Sequence, residues 1–248
     1  MVQIPVSGTS TDIAMDVAMN LAPDPTTDLA TNLTLVFEDD SLLVLNKPSG
    51  LLSVPGRGED KQDCLSSRVQ QHFPDALVVH RLDMATSGLL LMARGIAMQR
   101  ALSSLFERRQ IHKRYVAVVA GQLHAQALST GGADGWQLID LPIAVDWPRR
   151  PLRIIDAALG KSSQTRWRSL RFAADLQTSR VELEPLTGRS HQLRVHLQAI
   201  GHPILGDQLY APAEILAASP RLLLHATSLV FVHPQTGEPL RFDCQPDF

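Results

Sequence analysis

The feature that most constrains the fold is a polar segment, residues 80–88, held between two apolar runs. Residues 76–79 before it and residues 89–93 after it have the length and composition of buried strands. The segment between them therefore predicts a loop carried by a sheet, which is where binding and catalytic groups are often placed. The loop contains an imidazole, a guanidinium, a carboxylate and two hydroxyl groups, and it ends at Gly88.

Asp83 in this loop has two interpretations. In the first, Asp83 caps a turn through backbone amides while Arg81 pairs with a surface acid, as loop residues of these types commonly do. In the second, Asp83 is a nucleophile or base on the floor of a site. The loop by itself does not decide between them, so the choice depends on the rest of the chain.

Strand patterns outnumber helix patterns in the chain, and the two do not alternate regularly. This predicts an α+β fold with a largely antiparallel sheet. Further strands are predicted at residues 33–37, 42–45, 115–120, 138–145, 163–171, 180–184, 222–232 and 240–242.

Three helices are predicted from cap residues and apolar spacing. The first has Asp63 as its N-cap and ends at Gln71. The second covers residues 96–109, where the charged side chains lie mostly off the apolar stripe. The third has Ser190 as its N-cap and stops at Gly201.

The charge of the chain is unevenly distributed. Residues 1–46 contain seven of the 25 acidic side chains and no Lys or Arg. The remaining residues, 47–248, therefore contain 18 acidic side chains and all 23 Lys and Arg residues. Residues 1–31 have no sustained period and are rich in Thr, Asp, Ala and Pro, which predicts a flexible acidic tail. Residues 32–248 are then expected to form one folded domain, whose net positive charge suits a polyanionic partner.

Composition and motifs exclude several classes of protein. The longest apolar runs have the length of strands, and the N-terminus lacks the features of a secretory signal, so we expect neither a membrane span nor export. Two cysteines are too few for a disulfide framework or a cysteine-built zinc site, which favours the cytoplasm. No Walker loop, dinucleotide fingerprint or nucleophile elbow is present, and His191 and His196 are wrongly spaced for zinc on one helix face. Two classes of protein remain: an enzyme that uses no metal or cofactor, and a binding module.

Six stretches, in order along the chain, carry a resemblance to a known family. They are residues 47–51, 80–88, 113–115, 187–194, 201–207 and 222–226. With these stretches the chain resembles the RluA family of pseudouridine synthases over roughly residues 33–248. The resemblance implies the catalytic fold of that family, with helices flanking the sheet and an active-site cleft. It also implies isomerisation of uridine in RNA to its C-glycoside without a metal or cofactor.

The resemblance extends to the expected RNA partners. Residues 51–57 and 146–151 are similar to one member of the family that modifies both 23S ribosomal RNA and the anticodon stem-loop of transfer RNA. Many relatives carry an additional N-terminal S4-like RNA-binding domain, whereas only the acidic tail precedes the first strand here. We therefore expect a monomer that recognises RNA through its catalytic domain. A synthase for another ribosomal or transfer RNA site and an inactive RNA-binding relative are the alternatives.

By the same resemblance, three residues are expected to be catalytic. Asp83 matches the essential aspartate, Arg194 matches the arginine that balances and aims its charge, and Tyr115 matches the tyrosine expected to stack on the uracil and to assist proton removal from C5. An inactive relative would typically lose one of these residues, so their presence favours the enzyme. Lys47 is expected to support the fold or to contact phosphate.

Four more residues are expected to bind RNA or to position the loop, namely His80, Arg81, Lys113 and Arg189. Arg81 precedes Asp83 by two residues, so in an extended segment the two side chains leave on the same face. We therefore expect Arg81 to enter the RNA beside a uridine that has been flipped out of its stack. The alternative is that Arg81 braces the loop through a salt bridge.

Overall fold

The computed structural model describes residues 28–29, 33–123 and 135–248. Within these ranges the chain forms an eleven-stranded sheet, a separate two-stranded sheet and a few short helices. The strands are β1 (Asp28–Leu29), β2 (Leu33–Glu38), β3 (Leu42–Lys47), β4 (Ala76–Val78), β5 (Ser87–Arg94), β6 (His112–Ala120), β7 (Gln137–Asp140), β8 (Ile143–Val145), β9 (Arg153–Ile155), β10 (Gln164–Ala173), β11 (Thr178–Pro185), β12 (Leu224–Val232) and β13 (Pro239–Asp243). The α-helices are α1 (Leu65–Gln70), α2 (Gly95–Glu107), α3 (Gln192–Ala199) and α4 (Ala213–Ala217).

The large sheet is mixed and mostly antiparallel. Its order is β1-β2-β3-β5-β12-β6-β11-β10-β7, with β4 paired to β5 and β13 paired to β12. Every described pairing is antiparallel except that of β5 with β12. The α+β class and the largely antiparallel sheet predicted from the sequence are confirmed.

Strands β3 and β5, in the middle of one half of the sheet, are buried on both faces. Leu43 and Leu45 pack in a cluster that includes Leu65 of α1. The alternate residues Leu42 and Val44 pack in a second cluster that includes α2. Because successive side chains of a strand point to opposite faces, a strand between two apolar layers must be apolar throughout. The continuous apolar run after the central loop meets this requirement.

The parallel pairing of β5 with β12 depends on Gly88. This residue has a φ of 107°, which L side chains rarely adopt. A Cβ at Gly88 would also lie 2.3 Å from the carbonyl oxygen of Ala226 on β12. The glycine at the end of the central loop therefore lets the two strands pair and fixes where the loop leaves the sheet.

Both predicted N-caps are wrong by one residue. Helix α1 is capped by Cys64, whose Sγ accepts a hydrogen bond from the Ser67 N–H, while the Asp63 carboxylate pairs with an arginine of the same helix. Helix α3 has His191 as its N-cap, in the left-handed conformation with a φ of 58° and no side-chain capping bond, so Ser190 is not the cap. For Asp63, the pairing with Arg68 replaces the expected capping bond.

The predicted strand over residues 138–145 is two strands in different sheets. Pro142 lies between them and has no N–H to continue a ladder. Strand β7 pairs with β10 in the large sheet, whereas β8 pairs with β9 in the small one. Strands β8 and β9 form a hairpin, and Arg153 of β9 lines the cleft described below.

Most of the predicted tail, residues 1–31, lies outside the described residues. Its two described residues form β1, which pairs with β2 and which the tail prediction did not include. Residues 124–134 also lie outside the described ranges. Among the helices that are described, none is long and apolar enough to cross a bilayer.

Candidate active site

The structure brings all seven candidate residues to one cleft. The cleft has a volume of about 1240 Å³ and lies between the central loop, the ends of β6 and β11, and the start of α3. Eight Lys or Arg residues and three Asp or Glu residues line it, so its charge is positive. The basic residues are Arg81, Arg109, Lys113, Arg114, Arg153, Arg166, Arg189 and Arg194.

A buried lysine fastens the central loop to the sheet. Lys47 ends β3 and is fully buried, and its Nζ donates hydrogen bonds to the carbonyl oxygens of Pro48 (2.8 Å), Leu51 (2.8 Å) and Met84 (3.0 Å). Burial lowers the pKa of Lys47 to about 8, although the negative charge of Asp83 opposes the shift. Lys47 thus supports the fold, and it holds the residue that follows Asp83.

Asp83 lies at the open end of a row of three charged side chains. Its Oδ2 accepts a hydrogen bond from Nη1 of Arg194 at 3.3 Å. Arg194 also donates to Asp207, from Nε to Oδ2 at 2.8 Å and from Nη2 to Oδ1 at 2.6 Å. The side chain of Asp83 is 29% exposed, whereas those of Arg194 and Asp207 are 5% and 0% exposed. The carboxylate that faces the cleft is therefore backed by a buried ion pair.

Asp207 holds Arg194 more firmly than Asp83 does, because the Asp207 contact is bidentate and shorter. Burial works against the positive charge of Arg194, but the hydrogen bond and charge of Asp207 and the charge of Asp83 outweigh it, so the pKa of Arg194 lies above its ordinary value. Asp207 also accepts the N–H groups of Leu209 and Tyr210 at Oδ1. Arg194 is thus a permanently charged group that is fixed from behind.

A histidine and a tyrosine flank this row. His191 Nε2 lies 3.9 Å from Asp83 Oδ2, and its Nδ1 lies 2.6 Å from the hydroxyl of Tyr210. The same hydroxyl accepts the N–H of Arg153 at 3.0 Å, and the tautomer of His191 determines whether the hydroxyl or Nδ1 donates in the bond between them. Burial lowers the pKa of His191 and raises that of Tyr210 to about 12. The imidazole of His191 therefore links the Tyr210 hydroxyl on one side to Asp83 on the other.

Tyr115, on β6, lines the cleft. Its side chain is partly buried, and its hydroxyl hydrogen-bonds to none of the residues that the structure describes. Burial raises the pKa of Tyr115 above its ordinary value, and the charge of Asp83 raises it further. Tyr115 is therefore a neutral phenol whose ring and hydroxyl are available to a ligand.

His80 anchors the start of the loop. Its Nε2 accepts a hydrogen bond from the Leu91 N–H of β5 at 2.9 Å, and its ring stacks on Phe106 with centroids 4.5 Å apart. Burial lowers the pKa of His80 to about 3, with a smaller contribution from the charge of Lys113. Lys113 also lies over the Phe106 ring, 6.0 Å from its centroid, and burial lowers its pKa. His80 positions the loop by these contacts.

Arg81 and Arg189 are exposed at the rim of the cleft. Neither forms a salt bridge with a described carboxylate, and Arg189 makes only long contacts of 3.4 Å from its side chain to the carbonyl oxygen of Ser162. The salt bridge that was the alternative role for Arg81 is thus not found within the described residues. Both guanidinium groups are therefore accessible to a phosphate group of a ligand.

Comparison with known proteins identifies the family of this cleft. Residues 41–199, more than half of the chain, match the family described as RNA pseudouridylate synthase. The chain belongs to the RNA pseudouridylate synthase family. It is 48% identical over 216 residues to Dual-specificity RNA pseudouridine synthase RluA of Escherichia coli (strain K12), covering 87% of this chain and 94% of the relative. The protein of the same name from Yersinia pestis is 46% identical and is covered over its full length.

Solved structures support the same assignment. Human RNA Pseudouridylate Synthase Domain Containing 1 superposes with a TM-score of 0.70 at 30% identity, covering 89% of this chain and 86% of that one. Human RNA Pseudouridylate Synthase Domain Containing 4 superposes with a TM-score of 0.66 at 25% identity, covering 86% and 89%. The chain is therefore an RluA-type pseudouridine synthase, an isomerase that acts on RNA, as the sequence motifs predicted.

Three residues of this synthase site were not predicted to belong to it. Asp207 and Tyr210 follow α3 in a loop and reach the site only through tertiary folding. His191 was considered only as a zinc ligand and rejected. The sequence signal for Asp207 was its place in the motif of residues 201–207, directly after a glycine. Within the described ranges no three His, Cys, Asp or Glu side chains are grouped as a metal site requires.

Proposed function

We propose that this synthase isomerises uridines in both 23S ribosomal RNA and the anticodon stem-loop of transfer RNA, with Asp83, Arg194 and Tyr115 as its catalytic residues. Support for the two substrates comes from the relatives named as dual-specificity synthases, one of which is covered over its full length. We also propose that the protein acts as a monomer in the cytoplasm, with residues 32–248 as one catalytic domain behind an acidic tail.

The observation that carries the catalytic assignment is the row Asp83–Arg194–Asp207. A carboxylate facing a cleft would ordinarily be free to rotate and would gain stability by hydration. Here the guanidinium of Arg194 donates to Asp83 at 3.3 Å and fixes its orientation, and the bond to Asp207 keeps Arg194 itself in place. Asp83 is thereby held in a defined position beside a fixed positive charge, which is what an attacking carboxylate or a base requires.

The reaction breaks the bond between N1 and C1′ and forms one between C5 and C1′, and the proton lost from C5 is balanced by one gained at N1. The uracil must turn over within the cleft while it is detached. Asp83 can take part by attacking C1′, by attacking C6, or by removing a proton from C2′, and the three routes stay open. Each of them uses the ionised Asp83 with Arg194 balancing its charge.

We propose that Tyr115 stacks on the uracil while the base turns over. Its ring lines the cleft, and its hydroxyl has no partner among the described residues. Because burial and the charge of Asp83 both raise the pKa of Tyr115, its phenolate is a poor candidate for the base that removes the C5 proton. We therefore assign Tyr115 to stacking and to a hydrogen bond from its neutral hydroxyl.

The substrate-binding residues divide by their surroundings. Arg81 and Arg189, which are exposed and without a carboxylate partner among the described residues, bind the RNA, with Arg81 entering beside the flipped uridine. Lys113 adds positive charge to the wall beside Phe106. His80, which is bonded to β5, acts by holding the loop that carries Arg81 and Asp83.

The test is to incubate the full-length protein with total ribosomal and transfer RNA from a strain that lacks RluA-type synthases, and then to map pseudouridines in both pools. New sites in 23S rRNA and in anticodon stem-loops are expected, and the Asp83→Asn protein should give none. New sites in only one RNA class would contradict dual specificity but would still show pseudouridine synthase activity. New sites with the Asp83→Asn protein would contradict the catalytic assignment.

A further inference from the structure

The β8–β9 hairpin ends in an exposed tryptophan. Trp147 lies at the tip of this hairpin, residues 146–152, and is 65% exposed. The other two tryptophans of the chain, Trp136 and Trp167, are only 7% and 4% exposed. A single exposed apolar side chain is common on protein surfaces, so its neighbours decide what it is for.

Two arginines accompany Trp147 in an ordered arrangement. The guanidinium of Arg150 lies over the indole, with Cζ 3.8 Å from the ring centroid. Arg149 donates from Nε and Nη2 to Oδ2 of Asp146 at 2.7 and 2.6 Å, and the Asp146 side chain is 6% exposed while that of Arg149 is 70% exposed. Arg150 therefore covers one face of the indole and leaves the other open, and a buried carboxylate holds Arg149 in place at the surface.

The hairpin is rooted in the wall of the active site. Arg153 begins β9 and lines the same cleft as Asp83. Its N–H donates to the hydroxyl of Tyr210, which is bonded to His191 beside Asp83. The tip residues do not line the cleft. The tip thus lies outside the cleft on a strand pair whose base is part of the site.

We propose that this tip is a stacking platform for a base of the substrate RNA that lies outside the cleft. The base stacks on the open face of Trp147, and Arg149 and Arg150 contact the adjoining phosphates. Stacking accepts any base, because every base has a π face, and a neighbouring guanidinium strengthens such a contact. A platform of this kind suits an enzyme that accepts more than one RNA, a point that rests on the proposed dual specificity. The platform itself requires only an RNA substrate.

The test compares Trp147→Ala with the wild-type protein on a substrate stem-loop under steady-state conditions. Loss of one stacked base is expected to raise KM by about 5- to 100-fold and to leave kcat unchanged, because the tip is outside the cleft. Trp147→Phe, which keeps a smaller ring, should recover most of the affinity. Leu176→Ala, at an apolar residue that is 70% exposed on the turn between β10 and β11, is the matched control and should change neither constant.

An abasic scan of the stem-loop identifies the base. Removing the base that stacks on Trp147 should weaken binding to the wild-type protein and should have no further effect in Trp147→Ala, whereas abasic sites elsewhere should act equally on both. An unchanged KM for Trp147→Ala, a fall in kcat alone, or no abasic position that distinguishes the two proteins would each overturn the platform. Pseudouridine would still form in all three cases, so failure here is distinct from failure of the proposed catalytic residues.

Discussion

The floor and the rim of the cleft use charge in opposite ways. At the floor, Arg194 and Asp207 are buried and bonded to each other in two places, and Arg194 also bonds Asp83. At the rim, Arg81 and Arg189 are exposed and have no carboxylate partner among the described residues. Buried pairs are screened little by salt, whereas exposed charges are screened strongly. The floor therefore sets geometry, and we propose that the rim supplies an attraction to phosphate that depends on salt.

The largest effect that separates floor from rim is expected for Asp207→Asn. The change leaves the buried Arg194 without its main partner, so we expect a loss of stability of about 3 to 5 kcal/mol. Misplacement of Arg194, and with it Asp83, should lower kcat/KM by about 10²-fold or more. Chemical denaturation and single-turnover kinetics measure the two effects.

Asp83→Asn is the matched control, because it removes the other carboxylate of the same row while Arg194 keeps its bidentate bonds to Asp207. Its stability should be close to that of the wild-type protein. If the Asp207→Asn protein were as stable as the Asp83→Asn protein, Asp207 would not be the group that holds Arg194, and the distinction between floor and rim would fail.

Arg81→Ala tests the role of the rim in flipping the uridine. Unstacking a nucleotide requires a few kcal/mol, least in a loop. Without the guanidinium the flipped state should be less populated, and we expect single-turnover rates about 10- to 100-fold lower with stability unchanged. A fluorescent base placed next to the target uridine should brighten with wild-type protein and do so more slowly or less with Arg81→Ala. An equal rise at an equal rate would show that Arg81 only binds.

Arg189→Ala should have a smaller effect that depends on salt. If Arg189 contacts one phosphate, the slope of log Kd against log salt concentration should fall by about 1 in magnitude. Filter binding over a range of salt concentrations measures this slope, and Asp207→Asn serves as a comparison that should leave it near the wild-type value. A wild-type slope for Arg189→Ala would place Arg189 outside the RNA contact.

Replacing His80 tests how the loop that carries Arg81 and Asp83 is held. The replacement should have little effect on activity at neutral pH. The pKa of His80 in the folded protein is about 3, below its ordinary value of 6.5, because burial disfavours the charged ring. The stability that depends on the neutral ring is therefore complete above pH 6.5 and is lost as the pH falls toward 3. Between pH 6.5 and pH 5 this loss is about 2 kcal/mol. His80→Gln, which keeps an acceptor for the Leu91 N–H, should show a flatter decline, and an unchanged decline would contradict the assignment.

The sequence predicted the sheet better than it predicted the caps. Apolar runs such as residues 89–93 identify central strands because burial on both faces leaves no other composition possible. Caps depend on single side chains that have competing partners, as Asp63 shows by pairing with an arginine of its own helix. The break at Pro142 was visible in the sequence, but the assignment of β7 and β8 to different sheets depends on long-range pairing.

The site was predictable where a motif places residues together, and less so where the fold does. The central loop and the start of α3 contain Asp83 and Arg194, and both were identified from their motifs. Asp207 completes the same row from a loop after α3, and its place in the motif of residues 201–207 does not show that it pairs with Arg194. Lys47 was expected either to contact phosphate or to support the fold, and only its three carbonyl contacts decide for the fold.

The most direct test of the catalytic row is the release of tritium from C5 of a labelled uridine in a substrate stem-loop, at enzyme concentrations that saturate the RNA. Wild-type protein should release the label in a single turnover. Asp83→Asn, which keeps the volume of the side chain and removes its charge, should bind the stem-loop within about twofold and release label at least about 10⁴-fold more slowly. Release by the Asp83→Asn protein at a rate near that of the wild type would show that Asp83 is not the carboxylate on which the isomerisation depends.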